Sequence, residues 1–226
     1  MAEVTVPEVD AYLTGLYEDG DPVRLEMEEL ARRRRFPIVG LQVGTLLSQL
    51  ARIIGARRVF ELGSGYGYSA LFLARAVGPR GLVHCTDRSA ENADLAEQYL
   101  TRAGLWGRVS FQVGDGCLIL EGDGGEWDLI FNDVDKEAYP ATIELAARRL
   151  RPGGLFITDN VLWHGRVLPG TRDGGRSAEA VREFTATLLA HPAFVTTILP
   201  VRDGVAVALK TRDVRGETSP ARPVMS

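Results

Sequence analysis

Two short runs carry oxygen donors that could hold a hard divalent cation: Asp133-Val134-Asp135-Lys136 and, further on, Asp159-Asn160. Two carboxylates and an amide oxygen suit Mg²⁺, with Ca²⁺ or Mn²⁺ able to substitute, and water or substrate would complete the shell. Lys136, one of the same run, is a candidate proton acceptor. Upstream, Glu61-Leu62-Gly63-Ser64-Gly65-Tyr66-Gly67 is a glycine loop of the kind that lets backbone approach a nucleotide-like cofactor. These acids also have a plainer use, capping helices or accepting backbone hydrogen bonds after strands. Clustering argues against that use. Two carboxylates about 5 Å apart repel by roughly 3 kcal/mol at an effective dielectric near 20, and a bound cation relieves it.

The elements needed to bring these runs together are legible as an alternation. Strands are expected at Arg58–Leu62, Leu82–Thr86, Val109–Val113, Trp127–Asn132 and Gly154–Thr158. Helices are expected between them at Tyr68–Val77, Ala90–Ala103, near 116–120 and at Glu137–Leu150, with Arg-Pro-Gly-Gly at 151–154 as a tight connection. Such alternation implies an α/β, Rossmann-like, doubly wound and mostly parallel sheet with helices on both faces. Right-handed strand–helix–strand units place Asp133 and Asp159 at one C-terminal rim, where open α/β sheets bind ligands and where the glycine loop also opens. Asp133 lying more than about 8 Å from Asp159 and Asn160 would rule out a shared ion at ~2.0–2.6 Å bond lengths.

Outside this core, residues 8–18, 21–35 and 40–54 read as N-terminal helices, the second started by Asp21 as cap and Pro22 in the first turn. Residues 165–176 form a loop rich in Gly and Arg, followed by a helix at 177–190. Val195–Val201 and Val205–Lys210 are expected to form a hairpin through Arg202-Asp203-Gly204, giving seven strands with an antiparallel C-terminal one. One domain over 1–226 is expected: N-terminal helices covering the site (1–55), a Rossmann-like core (56–210) and a frayed tail (211–226).

The ligand of the glycine loop is narrowed by charge. No Lys or Arg occurs between Glu61 and Arg75 to meet a pyrophosphate, and Tyr68 stands where the third glycine of G-x-G-x-x-G belongs. Asp87 ends the second strand, placed for a ribose diol, and Asp115 follows the third, placed for an adenine amino group. An acidic rim without phosphate-binding cations suits a nucleoside that carries positive charge, and S-adenosylmethionine is such a ligand. On Glu-Leu-Gly-x-x-x-Gly-Tyr-Ser at 61–69, Asp-x-Asp-Lys at 133–136 and Asp-Asn-x-Leu-Trp-x-Gly at 159–165, residues 10–210 resemble the class I, cation-dependent S-adenosylmethionine O-methyltransferases of the catechol and caffeoyl-CoA type.

That resemblance implies roles residue by residue. Gly63, Tyr68 and Ser69 would hold the methionine part of the cofactor, Asp87 the ribose and Asp115 the adenine side, with Glu61 also among the cofactor-binding residues. Val39, in Phe36-Pro37-Ile38-Val39, would cover the cofactor through its backbone, and Asp133 would face both cofactor and metal. Asp133, Asp159 and Asn160 fall on the metal ligands and Lys136 on the general base. The acceptor would be a small catechol and the assembly a homodimer. Asn132 departs from the apolar residue common before the first ligand. Val39 replaces a hydroxyl residue of the plant enzymes.

Several alternatives stay open. Lys136 could be a surface lysine paired with Asp135. Trp163 could stack on a phenolic ring or pack against the sheet edge. Tyr66 and Tyr139 read as packing residues, His84 as a core histidine and His191 as a helix terminator. Arg32-Arg33-Arg34-Arg35 reads as a solvated face, with recognition of an acidic acceptor, or a subunit contact with nearby glutamates, as the functional options. A non-catechol acceptor, a nicotinamide-dependent oxidoreductase and a non-catalytic cofactor binder are the competing functions.

Composition bounds the remainder. With 226 residues, 45% hydrophobic, and a net charge of −4, the chain reads as a soluble globular protein without a nucleic acid binder's basic footprint. Two cysteines, Cys85 and Cys117, are too few for a disulfide framework, and no apolar run spans a bilayer, so a cytoplasmic setting without membrane contact is expected.

Overall fold

The computed structural model describes residues 6–17, 20–171 and 175–211. The tail expected to fray lies, from residue 212 onward, outside the described residues, as do 172–174 of the Gly/Arg loop.

A seven-stranded sheet runs in the order β3-β2-β1-β4-β5-β7-β6. Its strands are β1 (Arg58–Leu62), β2 (Leu82–Asp87), β3 (Val109–Val113), β4 (Trp127–Asn132), β5 (Leu150–Thr158), β6 (Phe194–Leu199) and β7 (Val205–Lys210). The first five pair in parallel. Strand β7 then runs antiparallel to both β5 and β6, so the C-terminal hairpin is inserted with its second strand inward.

Helices α4 (Tyr68–Ala76), α5 (Ala90–Arg102), α6 (Gly116–Gly122) and α7 (Tyr139–Arg149) are the crossovers, and α8 (Gly175–Ala190) precedes β6. Alternate strand residues feed two cores. Val59, Val83, Leu129, Phe131 and Ile157 pack with α4, α5 and two N-terminal helices, α2 (Pro22–Arg34) and α3 (Gly40–Ile53). Phe60, Leu62, Ile130 and Phe156 pack with α6, α7 and α8. This period-two division is what a parallel sheet covered on both faces requires.

Local signals explain the helix starts. Asp21 accepts from Val23 N at 3.1 Å ahead of Pro22, and Ser89 accepts from Asn92 N at 3.2 Å. Helix α1 (Pro7–Gly15) instead leaves Val9 and Tyr12 exposed.

Two shifts of boundary bear on the site. Strand β5 begins at Leu150, four residues before the expected start, because Leu150 pairs with Trp127 and the register then shifts to Leu129↔Leu155. Arg-Pro-Gly-Gly is therefore an irregularity within the strand, held by Arg151 Nε donating to Asp128 at 2.5 Å. Helix α7 begins at Tyr139, after a 3₁₀ turn over Lys136–Ala138 that lets Lys136 point back to the rim.

Candidate active site

Four parallel strands end in one register row: Thr86 beside Leu62, Leu62 beside Asn132, and Asn132 beside Thr158. The next residues, Asp87, Gly63, Asp133 and Asp159, therefore emerge side by side, strands being ~4.8 Å apart. Backbone bonds stitch the turns together. Gly63 N and Ser64 N donate to Thr86 O, Asp133 N to Leu62 O at 2.9 Å, and Asp159 N to Asn132 O at 3.3 Å. Gly63 must be glycine: its φ is +81°, and a Cβ there would lie 2.5 Å from Asp133 O.

Above this rim lies a cleft of about 1210 Å³. It exceeds the ~300–1,000 Å³ of a usual small-ligand pocket, which leaves room for a cofactor and an acceptor together. Its lining includes the expected Val39, Gly63, Tyr68, Ser69, Asp87, Asp133, Lys136, Asp159, Asn160 and Trp163.

At the floor the donors converge. Lys136 Nζ donates to Asp133 Oδ1 at 3.3 Å, Asn160 Oδ1 at 2.9 Å and Tyr139 Oη at 2.6 Å. One ammonium thus bonds oxygens from both turns, which keeps Asp133 Oδ1 and Asn160 Oδ1 inside the 8 Å limit. The Asp159 carboxylate caps its own turn by accepting from Asn160 N at 2.8 Å, and Asn160 takes a left-handed backbone with φ 55°. Lys136 is buried and does not pair with Asp135, which faces Arg88 instead.

Burial governs the electrostatics. Removal from water pushes the Asp159 carboxyl up, and its neighbour Asp133 pushes it further. Asp133 is pushed up by burial and held back by Lys136, and its side chain keeps 26% exposure, so its desolvation is the milder. Lys136 opposes the rise at both carboxyls, and Arg202 adds a weaker opposing charge at Asp159. Among the described residues no group of three or more His, Cys, Asp or Glu side chains converges to hold a metal. A cation here would rest on Asp133, Asp159 and Asn160 and keep several non-protein oxygens, which fits the donor chemistry of Mg²⁺.

On the glycine-loop side, Asp87 accepts from Gly65 N at 3.0 Å, Ser89 N at 2.9 Å and Asn92 Nδ2 at 3.0 Å, fixing its carboxylate at the cleft edge. Tyr68 turns its phenol to α2, donating to Glu28 at 2.6 Å, and Glu28 is held by the buried Arg24. Glu61 lies fully buried beneath the loop and outside the cleft lining; burial pushes its carboxyl up to about 7, opposed by hydrogen bonds from Ser69, Ser64 and Cys85. Asp115 also lies outside the lining: it caps α6 through Cys117 N and Leu118 N and pairs with Arg88 at 2.6 Å.

Asn132 donates to Thr142 and Thr158 beneath the rim, so the departure from an apolar residue serves a buried polar contact. Trp163 is half-buried, its ring 5.5 Å from Lys136 Nζ and 5.7 Å from Arg166. The arginine run is largely a solvated face: Arg32 and Arg33 meet Glu29, Arg34 meets Glu91, and Arg35 closes α2 in a left-handed conformation.

Three lining or supporting residues escape a reading of the sequence. Tyr139 reads as packing, yet its hydroxyl accepts from Lys136 and donates to Asp159 O at 2.8 Å. Its position three residues after a candidate base was the available signal. Arg202 and Asp203 read as turn residues, yet both line the cleft.

The comparisons with known proteins identify the family and the fold. The sequence model of the O-methyltransferase family matches residues 25–211. A catechol O-methyltransferase of Mycobacterium tuberculosis is 35% identical over 212 residues, covering 90% of this chain and 95% of the relative. Among solved structures, an O-methyltransferase from Bacillus cereus in complex with SAH superposes with a TM-score of 0.81 at 30% identity, covering 90% and 97% of the two chains. A Streptomyces achromogenes O-methyltransferase involved in tomaymycin synthesis, in complex with SAM, gives 0.81 at 29% identity, covering 91% and 96%. A family match over residues 25–211 and a relative 35% identical along nearly its whole length place the chain in the class I O-methyltransferase family, which includes enzymes named for catechol and caffeoyl-CoA.

Proposed function

We propose that the protein moves a methyl group from S-adenosylmethionine to one hydroxyl of a small vicinal dihydroxyphenol, with a divalent cation, Mg²⁺ by preference, held by Asp133, Asp159 and Asn160. The observation that carries this reading is the meeting of Lys136 Nζ with Asp133 Oδ1 and Asn160 Oδ1 at the cleft floor. Asp87 offers a carboxylate to a ribose diol, and residues 36–39 supply apolar lining to the same cleft. Trp163 offers an apolar face to a phenolic ring. The cation, when bound, would supply positive charge that acidifies and orients a chelating diol.

Lys136, in its neutral form, takes the hydroxyl proton at Nζ. The acceptor oxygen then forms its bond to the methyl carbon as the carbon–sulfur bond breaks, and S-adenosylhomocysteine leaves. Tyr139 fixes the amine by accepting its hydrogen bond while anchored to Asp159 O. Holding donor and acceptor in one enclosed cleft contributes through orientation.

The exposed Val9, Tyr12 and Leu16 near the N-terminus support a homodimer as the assembly. No described helix is long and apolar enough to cross a membrane.

The test is a panel of catechols and matched monophenols with S-adenosylmethionine, followed by S-adenosylhomocysteine release. Catechols should turn over, monophenols should not, and a chelator should abolish activity that Mg²⁺ restores. Turnover indifferent to chelation would reject the cation's role, and equal turnover of monophenols would favour a non-catechol acceptor.

A further inference from the structure

The hairpin turn at 202–204 is bonded to two segments beside the cleft that lie far apart in the chain, Ile38–Val39 and Leu162–His164. On one side Arg202, itself left-handed with φ 49°, sends its guanidinium to the carbonyls of Ile38 (3.3 Å) and Val39. It lies in a notch that only a glycine leaves open: Gly40 has φ +73°, and a Cβ there would sit 1.7 Å from Arg202 Nη1. On the other side Asp203 is buried, and its carboxylate accepts from His164 N at 2.5 Å while its backbone oxygen accepts from Leu162 N at 2.9 Å. The segment it holds needs holding, because Trp163 and His164 take left-handed φ values of 46° and 52°, which cost non-glycine residues free energy.

We propose that Arg202 and Asp203 are positioning residues with divided duties: Arg202 sets the cover over the cofactor half of the cleft, and Asp203 sets the Trp163–His164 wall of the acceptor half. The inference rests on the cofactor and acceptor assignments above. Neither residue need touch a reacting atom. Each acts through a backbone it bonds, so the two should separate in their effects on the two ligands.

Charge-assisted bonds to backbone of this kind correspond to about tenfold or more in an equilibrium constant. In Arg202→Met, the Kd for S-adenosylhomocysteine, measured by calorimetry, should rise about tenfold, and deuterium uptake across residues 36–41 should increase. Its catechol KM at saturating cofactor should rise by a clearly smaller factor than the S-adenosylhomocysteine Kd. In Asp203→Ala, the catechol KM should rise about tenfold with S-adenosylhomocysteine binding unchanged, and Asp203→Asn, which keeps an acceptor for His164 N–H, should restore most of it. Parallel losses of both ligands in both variants, tracking a fall in Tm, would overturn the division of duties. Unchanged deuterium uptake in Arg202→Met would overturn the cover. If Arg202→Met does not fold, Arg202→Lys serves: one ammonium reaching one carbonyl should give intermediate uptake, and wild-type uptake would count against the proposal. A wild-type protein that binds S-adenosylhomocysteine but methylates no catechol would sink the acceptor reading, while the calorimetry and exchange of the Arg202 variants would still decide the cover.

Discussion

The two walls of the cleft are built by different physics. The rim at Gly63, Asp87, Asp133 and Asp159 hangs from four neighbouring strands and is stitched by backbone hydrogen bonds into the sheet itself. The opposite wall, residues 36–39 and 162–164, is tied to the hairpin turn by side chains reaching backbone atoms and by one backbone bond from Leu162 N, and it includes left-handed residues without glycine's freedom. The first arrangement fixes atoms that must meet a transferring methyl group closely. The second can differ in shape at small cost to the fold, because changing Trp163 or Arg202 leaves the two cores intact. Proton transfer belongs on the first and acceptor choice on the second.

The comparison breaks most readily at Lys136. Lys136→Ala should lower kcat by about 10²–10⁴-fold, the range for a positioned general base, with S-adenosylhomocysteine affinity nearly unchanged. Near-normal turnover would show that the rim does not carry the proton transfer. Next in size is the charge hidden under the rim. Glu61 is held up to about 7 by burial, against an ordinary 4.5. The native state therefore binds this proton more tightly than the unfolded chain. The resulting stability is complete below about pH 4.5 and is lost as pH rises through 7, about 3 kcal/mol in all. Melts of wild type and Glu61→Gln from pH 4.5 to 8 should diverge by that amount, with the variant favoured at high pH; parallel profiles would mean the carboxylate is compensated. The smallest effect belongs to the other wall: Trp163→Ala should raise the catechol KM by about three- to tenfold, as expected for a lost ring contact of ~0.5–1.5 kcal/mol, and leave kcat within about twofold. A large kcat loss there would erase the distinction between the walls.

Legibility in the sequence follows the same division. The rim could be read because an acid or a glycine directly after a strand is a local signal, and alternation of strand and helix supplies the adjacency. Asp133, Asp159 and Asn160 needed nothing more. The upper wall could not be read so, since its ties join residues as far apart as Val39 and Arg202, and Arg-Asp-Gly is ordinary turn chemistry. Tyr139 was missed for a related reason: an apolar-faced helix makes an aromatic look like packing, and only the 3₁₀ turn at Lys136–Ala138 brings its hydroxyl under the amine. Strand β5 began early because the pairing of Leu150 with Trp127 outweighs the break that Pro152 and two glycines suggest. Asp115 was placed on the adenine side from its position after β3. The local demand of α6 for a cap and the charge of Arg88 also claim it.

Strand β7, which sits between β5 and β6, is synthesised after both of the strands it joins. A growing polypeptide can dock its first five strands in order as they leave the ribosome, but β6 has no partner in the sheet until the strand after it emerges. The nascent protein must therefore wait for β7 with an unsatisfied sheet edge.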